Sequence, residues 1–157
     1  TAMSSQGRYK KILVPLDGSG WAQRALPHAV DIARSNPDAE LILLHIYVPT
    51  SRDYTDQLAL AGQTGQETYA QEHMKQYLIG LRTELRDEDV QVRVQVVQAA
   101  GDVATWICNY SNGEGVDLVV MSTHGRTGLA RLILGSTAHN VMERIGIPVL
   151  LIRPDKE

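Results

Sequence analysis

The chain has 157 residues, 43% of them hydrophobic, which is enough for one domain with a substantial core. Its net charge of −3 argues against nucleic-acid binding, which usually needs a basic face, and its single cysteine excludes an internal disulfide and fits a reducing cytoplasm. No apolar run reaches the about 20 residues that a membrane helix needs, and the first residues lack the apolar stretch of a signal peptide, so we expect a cytoplasmic protein.

The first part of the chain predicts strand, helix and strand. Tyr9–Leu16 is a short apolar run rich in β-branched residues, which favours a buried strand. Ser19 then caps a helix in which Pro27 is expected to introduce a kink. After a turn at Asn36–Asp38, Glu40–Val48 predicts a second buried strand.

The middle of the chain continues the alternation. Pro49–Gly65 is polar and predicts a mobile loop, followed by a helix from about Gln66 to Asp87. One face of that helix is expected to carry Tyr69, His73, Tyr77, Leu81 and Leu85. Valines at alternate positions from Val90 to Val96 predict a strand with one wet face or a place at the sheet edge.

The last part adds two helices and two strands. Gly101 and Asp102 open a helix to about Tyr110, and Asn112-Gly113-Glu114-Gly115 is expected to stop it. A fourth strand is predicted at Val116–Met121, a helix from Ser136 to about Ile145, and a last strand at Val149–Ile152. Strict alternation of strand and helix predicts an α/β fold, a single doubly wound sheet of five parallel strands with helices on both faces.

Ligands of such sheets bind beyond the carboxyl ends of the strands, where the strand order reverses. The loop after the first strand contains Gly18 and Gly20, but Gln23 stands where a dinucleotide fingerprint needs a third glycine. No acidic residue ends the second strand, and no P-loop sequence occurs in the chain. These features argue against an NAD or FAD site and against a P-loop NTPase.

The loop after the fourth strand runs from Ser122 through several glycines to Gly135 and the following helix. Its glycines let backbone N–H groups approach a ligand, the helix start offers unpaired donors, and Arg126 adds a positive charge. This combination suits a phosphate chain. In the alternative interpretation, Gly135 is a turn glycine, Ser136 only caps the helix, and Arg126 is solvated; both interpretations are open at this point.

Three segments carry a resemblance to a known family: KILVPLDGS at 11–19, LILLHIYV at 41–48 and MSTHGRTGLARLILGSTAHNVMERIGIPVLLIR at 121–153. They resemble the universal stress protein family over nearly the whole chain, from Lys10 to Arg153. The resemblance implies a Rossmann-like fold of the adenine nucleotide α-hydrolase type. It also implies one domain at 9–154, preceded by a flexible N-terminus at 1–8 whose first two residues, ahead of Met3, we attribute to cloning.

Members of that family that bind ATP share a motif of glycine, two residues, glycine, nine residues, glycine, and serine or threonine. Gly125, Gly135 and Ser136 match it, whereas Ser122 replaces the first glycine. A serine there would be strained if the backbone had a positive φ and harmless otherwise. The resemblance therefore implies the ATP-binding branch with one departure, and members without the motif do not bind nucleotide.

The resemblance implies that ATP or AMP binds around the loop 121–137, with any Mg²⁺ held mainly by phosphate oxygens. The implied adenosine contacts are Pro15, Leu16, Asp17, Ile46, Met121 and Ser122. The implied phosphate contacts are Gly125, Gly135, Ser136 and Thr137, to which we add Arg126 on electrostatic grounds. Asp17 has a second interpretation, since a carboxylate before Gly-Ser commonly forms a turn.

The remaining polar residues suggest no catalytic or metal site. The five histidines show no metal-binding spacing; we expect His45 to be buried and hydrogen-bonded, and His124 either to contact a phosphate or to be structural. Cys108 is expected to be buried and inert. Because no residue is an evident candidate to position an attacking water, we expect binding without efficient turnover.

The apolar last strand, 148–152, would be open to pairing at a sheet edge, and members of the family dimerise through this strand. We therefore expect a homodimer, with no nucleic-acid or membrane partner. The leading hypothesis is a cytoplasmic stress-response protein that acts as a nucleotide-dependent switch or binding module. The alternatives are a weak ATPase or phosphate-transferring enzyme, and a dimeric interaction protein that binds no nucleotide.

Overall fold

The computed structural model describes residues 8–48, 65–124 and 134–153. Its strands are β1 (Lys11–Pro15), β2 (Glu40–Tyr47), β3 (Gln91–Gln98), β4 (Leu118–Ser122) and β5 (Val149–Ile152). Its helices are α1 (Gly20–Gln23), α2 (Ala25–Arg34), α3 (Gly65–Glu84), α4 (Val103–Glu114) and α5 (Ser136–Arg144), with a 3₁₀ turn at Arg86–Glu88. This order of elements confirms the predicted alternation.

The strands form one parallel sheet in the order β3-β2-β1-β4-β5. The chain builds outward from β1 to β2 and β3, and then returns to place β4 and β5 on the other side of β1. The strand order therefore reverses next to β1, as in doubly wound sheets. The predicted edge position of the valine-rich strand is confirmed, since β3 forms one edge of the sheet and β5 forms the other.

Each face of the sheet has its own hydrophobic core. On one face, alternate residues of β1 such as Ile12 and Val14 pack with α2, and with Leu78 and Leu81 of α3. On the other face, Leu13 packs in a core that includes residues of α4 and α5. Helices therefore cover both faces, and the buried strands are apolar on both sides, as parallel sheets require.

The kink predicted at Pro27 is a one-residue interruption at Arg24, between α1 and α2, where φ and ψ of −61° and −21° are still helical. Pro27 lacks the N–H that would donate to the carbonyl of Gln23, so a continuous helix would lose that bond. The predicted cap is confirmed, because Ser19 Oγ accepts a hydrogen bond of 3.1 Å from the N–H of Ala22.

The face of α3 predicted to carry Tyr69, His73, Tyr77, Leu81 and Leu85 is turned only partly toward the core. Tyr69 is 67% exposed and His73 is also exposed, whereas the buried residues are Met74, Leu78 and Leu81. Residues spaced strictly by four drift around a helix by about 40° at each step, because one turn takes 3.6 residues. The buried stripe avoids this drift by mixing steps of four and three.

The predicted stop of α4 at 112–115 is confirmed, although the helix continues beyond the predicted last residue, Tyr110, to Glu114. Gly115 ends it in the left-handed conformation, with φ of 68° and its N–H donating to the carbonyl of Ser111. Gly113 lies within the last turn, where a single glycine is tolerated. The start of α4 is as predicted, with Asp102 accepting a hydrogen bond from the N–H of Ala104 at 3.2 Å.

Several predictions concern residues outside the described part of the chain. These are the N-terminus at 1–7, the loop at 49–64, and the segment 125–133 with Gly125 and Arg126. Within the ranges that are described, no helix has the length and apolar character needed to cross a bilayer.

Candidate functional site

The register of the sheet brings the carboxyl ends of three strands to one level. Pro15 of β1 is aligned with Leu44 of β2, and Leu13 with Val119 of β4. Asp17 and Ile46 each lie two residues beyond the pair Pro15–Leu44, and Asp17 and Thr123 each lie four residues beyond the pair Leu13–Val119. Predicted site residues from three separate segments therefore meet where the strand order reverses.

The turn after β1 is built around Asp17. One oxygen of its carboxylate accepts a hydrogen bond of 2.9 Å from the N–H of Ser19, and Gly18 adopts a φ of +89°, which suits glycine. The interpretation of Asp17 as a turn former is therefore confirmed. A carboxylate has acceptor sites for several donors, so this turn and a ligand contact are chemically compatible.

Leu16 is held firmly in the framework below that turn. It is buried, its N–H donates to the carbonyl of Leu44 at 2.8 Å, and its carbonyl lies 2.8 Å from His45 Nδ1. Because a carbonyl only accepts, the His45 ring carries its hydrogen on Nδ1 at this contact. The prediction of a buried, hydrogen-bonded His45 is confirmed. The backbone polar groups of Leu16 are both engaged within the sheet, and its predicted ligand contact stays a prediction.

Ser122 ends β4 without backbone strain. Among the residues that the structure describes, Asp89 is the one non-glycine with a positive φ, so the serine lies in the ordinary extended region. Its side chain is buried, and its Oγ accepts a hydrogen bond of 3.2 Å from the N–H of His124. A serine is therefore compatible with the backbone at the first position of the motif.

Gly135 lies against the end of β4 more closely than any other residue type would allow. Its N–H donates to the carbonyl oxygen of Thr123 at 2.7 Å, and a Cβ at Gly135 would lie 2.8 Å from that same oxygen. Its φ of −61° is open to all residues, so close approach and not conformation requires glycine here. Gly135 is also the N-cap of α5, which corrects the alternative interpretation of Ser136 as the cap.

The start of α5 therefore faces the strand ends. Ser136 and Thr137 form its first turn, where backbone N–H groups have no acceptor within the helix and the helix dipole is positive. Ile46 and Met121 add an apolar wall, since both pack in one core with Ala138 of α5. Apolar wall, carboxylate and helix N-terminus together suit a ligand with a flat ring, hydroxyl groups and an anionic end.

Three further residues lie near this site. The sequence did not single out Trp21 or Arg24, and it left two interpretations of His124 open. The ring of Trp21 in α1 lies 6.0 Å from the ring of His124, and the guanidinium of Arg24 lies 4.8 Å from the Trp21 ring. His124 is 5% exposed, and its Nδ1 lies 2.9 Å from Thr123 Oγ1, which favours the structural interpretation of this residue. Trp21 could not be found from the sequence, because its importance depends on the tertiary contact of α1 with β4.

Burial shifts the pKa values of two titratable groups, the Tyr77 hydroxyl and the Cys108 thiol. The Tyr77 hydroxyl donates to Gln23 Oε1 at 2.6 Å, and burial raises the pKa of Tyr77, with the carboxylates of Asp17 and Glu84 raising it further. Burial likewise raises the pKa of the Cys108 thiol, which agrees with the expected inert cysteine. No group of three metal-binding side chains occurs within the described ranges.

Comparisons with known proteins identify relatives of the whole chain. The universal stress protein MJ0577 of Methanocaldococcus jannaschii is 31% identical over 155 residues, which cover 92% of this chain and 95% of that protein. The solved structure of MJ0577 has a TM-score of 0.79 at 29% identity, with 95% of this chain and 99% of that chain covered.

Two more distant structures share the fold and carry a nucleotide. One is a universal stress protein in complex with cAMP, with a TM-score of 0.62 at 22% identity, covering 94% of this chain and 98% of that one. The other is a universal stress protein family member from Arabidopsis thaliana with AMP bound, with a TM-score of 0.62 at 18% identity, covering 93% and 92%. The sequence model of the universal stress protein family matches residues 8–153, and the chain therefore belongs to that family.

Proposed function

We propose that this protein binds an adenine nucleotide, ATP or AMP, at the strand ends around 121–137 and acts as a nucleotide-dependent switch or binding module in the cytoplasm. The domain that does so extends over 9–154. The observation that carries the proposal is the contact of Gly135 with the Thr123 carbonyl, which brings the N-terminus of α5 to the carboxyl end of β4. Two relatives of the same fold are described with AMP and with cAMP, which supports an adenine nucleotide as the ligand.

The adenosine end of the ligand belongs beside β1 and β2. Asp17 and Ile46 each lie two residues beyond the paired residues Pro15 and Leu44, so a carboxylate and an apolar side chain belong to the same crevice in this proposal. A carboxylate suits the ribose hydroxyls or the adenine amino group, which donate hydrogen bonds. Met121, buried beside Ile46 in the same core, supplies further apolar surface for the base.

The phosphate end belongs at α5. The first N–H groups of this helix and the hydroxyls of Ser136 and Thr137 are donors, and the positive end of the helix dipole favours an anion. In the proposal, Gly125 and Arg126 complete this side of the site, and Mg²⁺ is held mainly by phosphate oxygens. Phosphate oxygens are the customary partners of this ion in nucleotide sites.

We further propose a homodimer formed through β5. This strand is at the edge of the sheet, and Leu150 is 36% exposed there, although its neighbours in the strand pack against the core. An exposed apolar side chain on an edge strand favours pairing with a second copy. Pairing of β5 with its own copy would cover Leu150 and extend the sheet across both protomers.

The direct test is native mass spectrometry of the purified protein, followed by titration calorimetry with ATP and with AMP. We expect a dimer with an adenine-nucleotide adduct and a dissociation constant in the micromolar range, roughly −8 kcal/mol. A protein that ignores both nucleotides at millimolar concentration would contradict the proposal and leave a dimeric interaction protein. If the protein steadily releases ADP from ATP and Gly135→Ala does not, the alternative of a weak ATPase would be supported instead.

A further inference from the structure

We propose that Trp21 is a positioning residue of the nucleotide site, which holds the end of β4 and, through it, the phosphate-binding start of α5. The inference rests on the proposed function, because it assigns Trp21 to the phosphate end of that site. Nothing in the motif of the site includes this tryptophan, which lies in α1, about a hundred residues away in sequence from the glycine-rich segment.

Trp21 contacts two further side chains, those of His124 and Arg24. Its ring faces the His124 imidazole, with 6.0 Å between centroids and 39° between planes, and the Arg24 guanidinium lies 4.8 Å from its centroid. Aromatic rings at this separation attract each other beyond simple burial, and a guanidinium over an indole adds a cation–π contact. These contacts therefore hold His124 from the side of α1.

His124 also forms hydrogen bonds with its neighbours at the carboxyl end of β4. Its N–H donates to Ser122 Oγ, and its Nδ1 lies 2.9 Å from Thr123 Oγ1. Thr123 is also tied to the neighbouring strand, since its N–H donates to the Ile152 carbonyl at 2.9 Å. A shift of the His124 ring would therefore displace the backbone of Thr123.

Thr123 transmits this position to α5. Its carbonyl oxygen accepts the Gly135 N–H at 2.7 Å, in a contact too close to admit a side chain at Gly135. Protein interiors are close-packed, so a displaced carbonyl moves the atoms that lie against it. The contacts Trp21–His124–Thr123–Gly135 thus connect α1 to the first turn of α5.

The adenosine contacts from β1 and β2 do not depend on this connection; only Met121 and Ser122 of β4 adjoin it. Asp17 is held by its own turn with Ser19, and Ile46 is held by its strand neighbours in β2 and β3. Loss of the Trp21 ring should therefore weaken the binding of phosphates and leave the binding of adenosine nearly unchanged. A purely structural role of Trp21 would weaken both ligands in equal proportion, or neither.

The test compares the affinities of ATP and adenosine in the wild type, Trp21→Ala and Trp21→Phe by titration calorimetry. We expect Trp21→Ala to weaken ATP by about tenfold to a hundredfold, as misplaced binding groups do, and adenosine by less than about threefold. Trp21→Phe, which keeps an aromatic ring against His124, should restore most of the ATP affinity. An unchanged ratio of ATP to adenosine affinity in Trp21→Ala overturns the inference, whereas a wild type that binds neither ligand overturns the proposed function itself.

A fluorescence experiment keeps the inference falsifiable if Trp21→Ala does not fold. The chain has two tryptophans, and Trp106 belongs to α4, where its Nε1 donates to the carbonyl of Ala100 at 2.9 Å. Trp106→Phe therefore leaves Trp21 as the single indole reporter. We expect the emission of Trp21 to change on addition of ATP and to stay constant on saturation with adenosine. Emission that ignores ATP, although calorimetry of the same variant shows ATP binding, overturns the inference.

Discussion

The amide N–H of Gly135 donates to the carbonyl oxygen of Thr123 at 2.7 Å, and a Cβ at Gly135 would lie 2.8 Å from that oxygen. This one contact joins the carboxyl end of β4 to the N-terminus of α5. A methyl group at this position would force the two apart. The geometry of the proposed phosphate site therefore depends on the absence of a side chain.

We expect Gly135→Ala to weaken ATP binding by at least about tenfold and to lower the free energy of unfolding by about 1–3 kcal/mol, because overpacking displaces the backbone. Titration calorimetry and urea unfolding measure the two effects. Gly146→Ala is the matched control, since no atom lies within 4 Å of a Cβ at Gly146 and its φ is not positive. Wild-type ATP affinity in Gly135→Ala would show that α5 does not hold the phosphates.

Ser122 should permit nucleotide binding. Its backbone is extended, so we expect Ser122→Gly to bind ATP within about threefold of the wild type, a difference below about 0.7 kcal/mol. Ser122→Ala removes the acceptor of the His124 N–H and should lower stability by about 1 kcal/mol. If Ser122→Gly binds ATP and the wild type does not, the serine is the residue that abolishes binding.

Two variants of Asp17 separate its role in the turn from its proposed contact with the ligand. Asn at this position keeps an oxygen acceptor for the Ser19 N–H but loses the charge, so Asp17→Asn should retain stability and bind ATP about tenfold more weakly. Asp17→Ala loses the turn as well, and should lower both stability and affinity. Calorimetry and thermal unfolding are the measurements; wild-type affinity in Asp17→Asn would leave Asp17 as a turn former alone.

The exposed Leu150 tests the proposed dimer. Leu150→Asp places a charge on the edge strand, where pairing would have to bury it, so we expect the variant to be a folded monomer. Light scattering after size-exclusion chromatography gives the mass of each form. Tyr69→Lys changes an exposed apolar residue on α3, and should remain a dimer like the wild type. A dimeric Leu150→Asp would place the interface elsewhere.

Tyr77 should make the stability depend on pH in the alkaline range. Burial, assisted by Asp17 and Glu84, raises its pKa above the ordinary value of 10.0, so the folded state retains the phenolic proton longer than the unfolded state. The contribution of the protonated Tyr77 to the free energy of unfolding is therefore complete below pH 10 and is lost as the pH rises through the folded pKa.

Tyr77→Phe should flatten the fall in stability above pH 10, measured by urea unfolding at a series of pH values. At neutral pH, the variant should lose about 1 kcal/mol with the hydrogen bond to Gln23. Tyr110, whose pKa burial also raises, contributes in the same direction and keeps part of the dependence in the variant. A profile of Tyr77→Phe that falls as steeply as that of the wild type would contradict this assignment.

Most of the fold could be predicted because its signals are local. The apolar run of β2, the Ser19 cap and the Asp102 cap each identify an element from neighbouring residues alone. Alternation of strands and helices then leaves few topologies other than the doubly wound sheet. The differences, at the face of α3 and the last turn of α4, arose where several residue types satisfy the same local pattern and packing selects among them.

Part of the site could be predicted for a different reason. Asp17, Ile46 and Ser122 follow or end strands, and the carboxyl ends of parallel strands meet at one edge of a sheet. Their meeting depends on the topology of the sheet and needs no detailed knowledge of side-chain packing. The glycine spacing and the resemblance to a family indicated the chemical class of the ligand that we propose.

The sequence by itself determined the alternation of elements and the family. The tertiary structure decided why Gly135 must be glycine, that Ser122 is unstrained, and that Trp21 contacts His124. The physical reason is the range of the interactions. Caps, turns and periodicity act within a few residues, whereas these three facts depend on distances between atoms that the chain brings together only on folding.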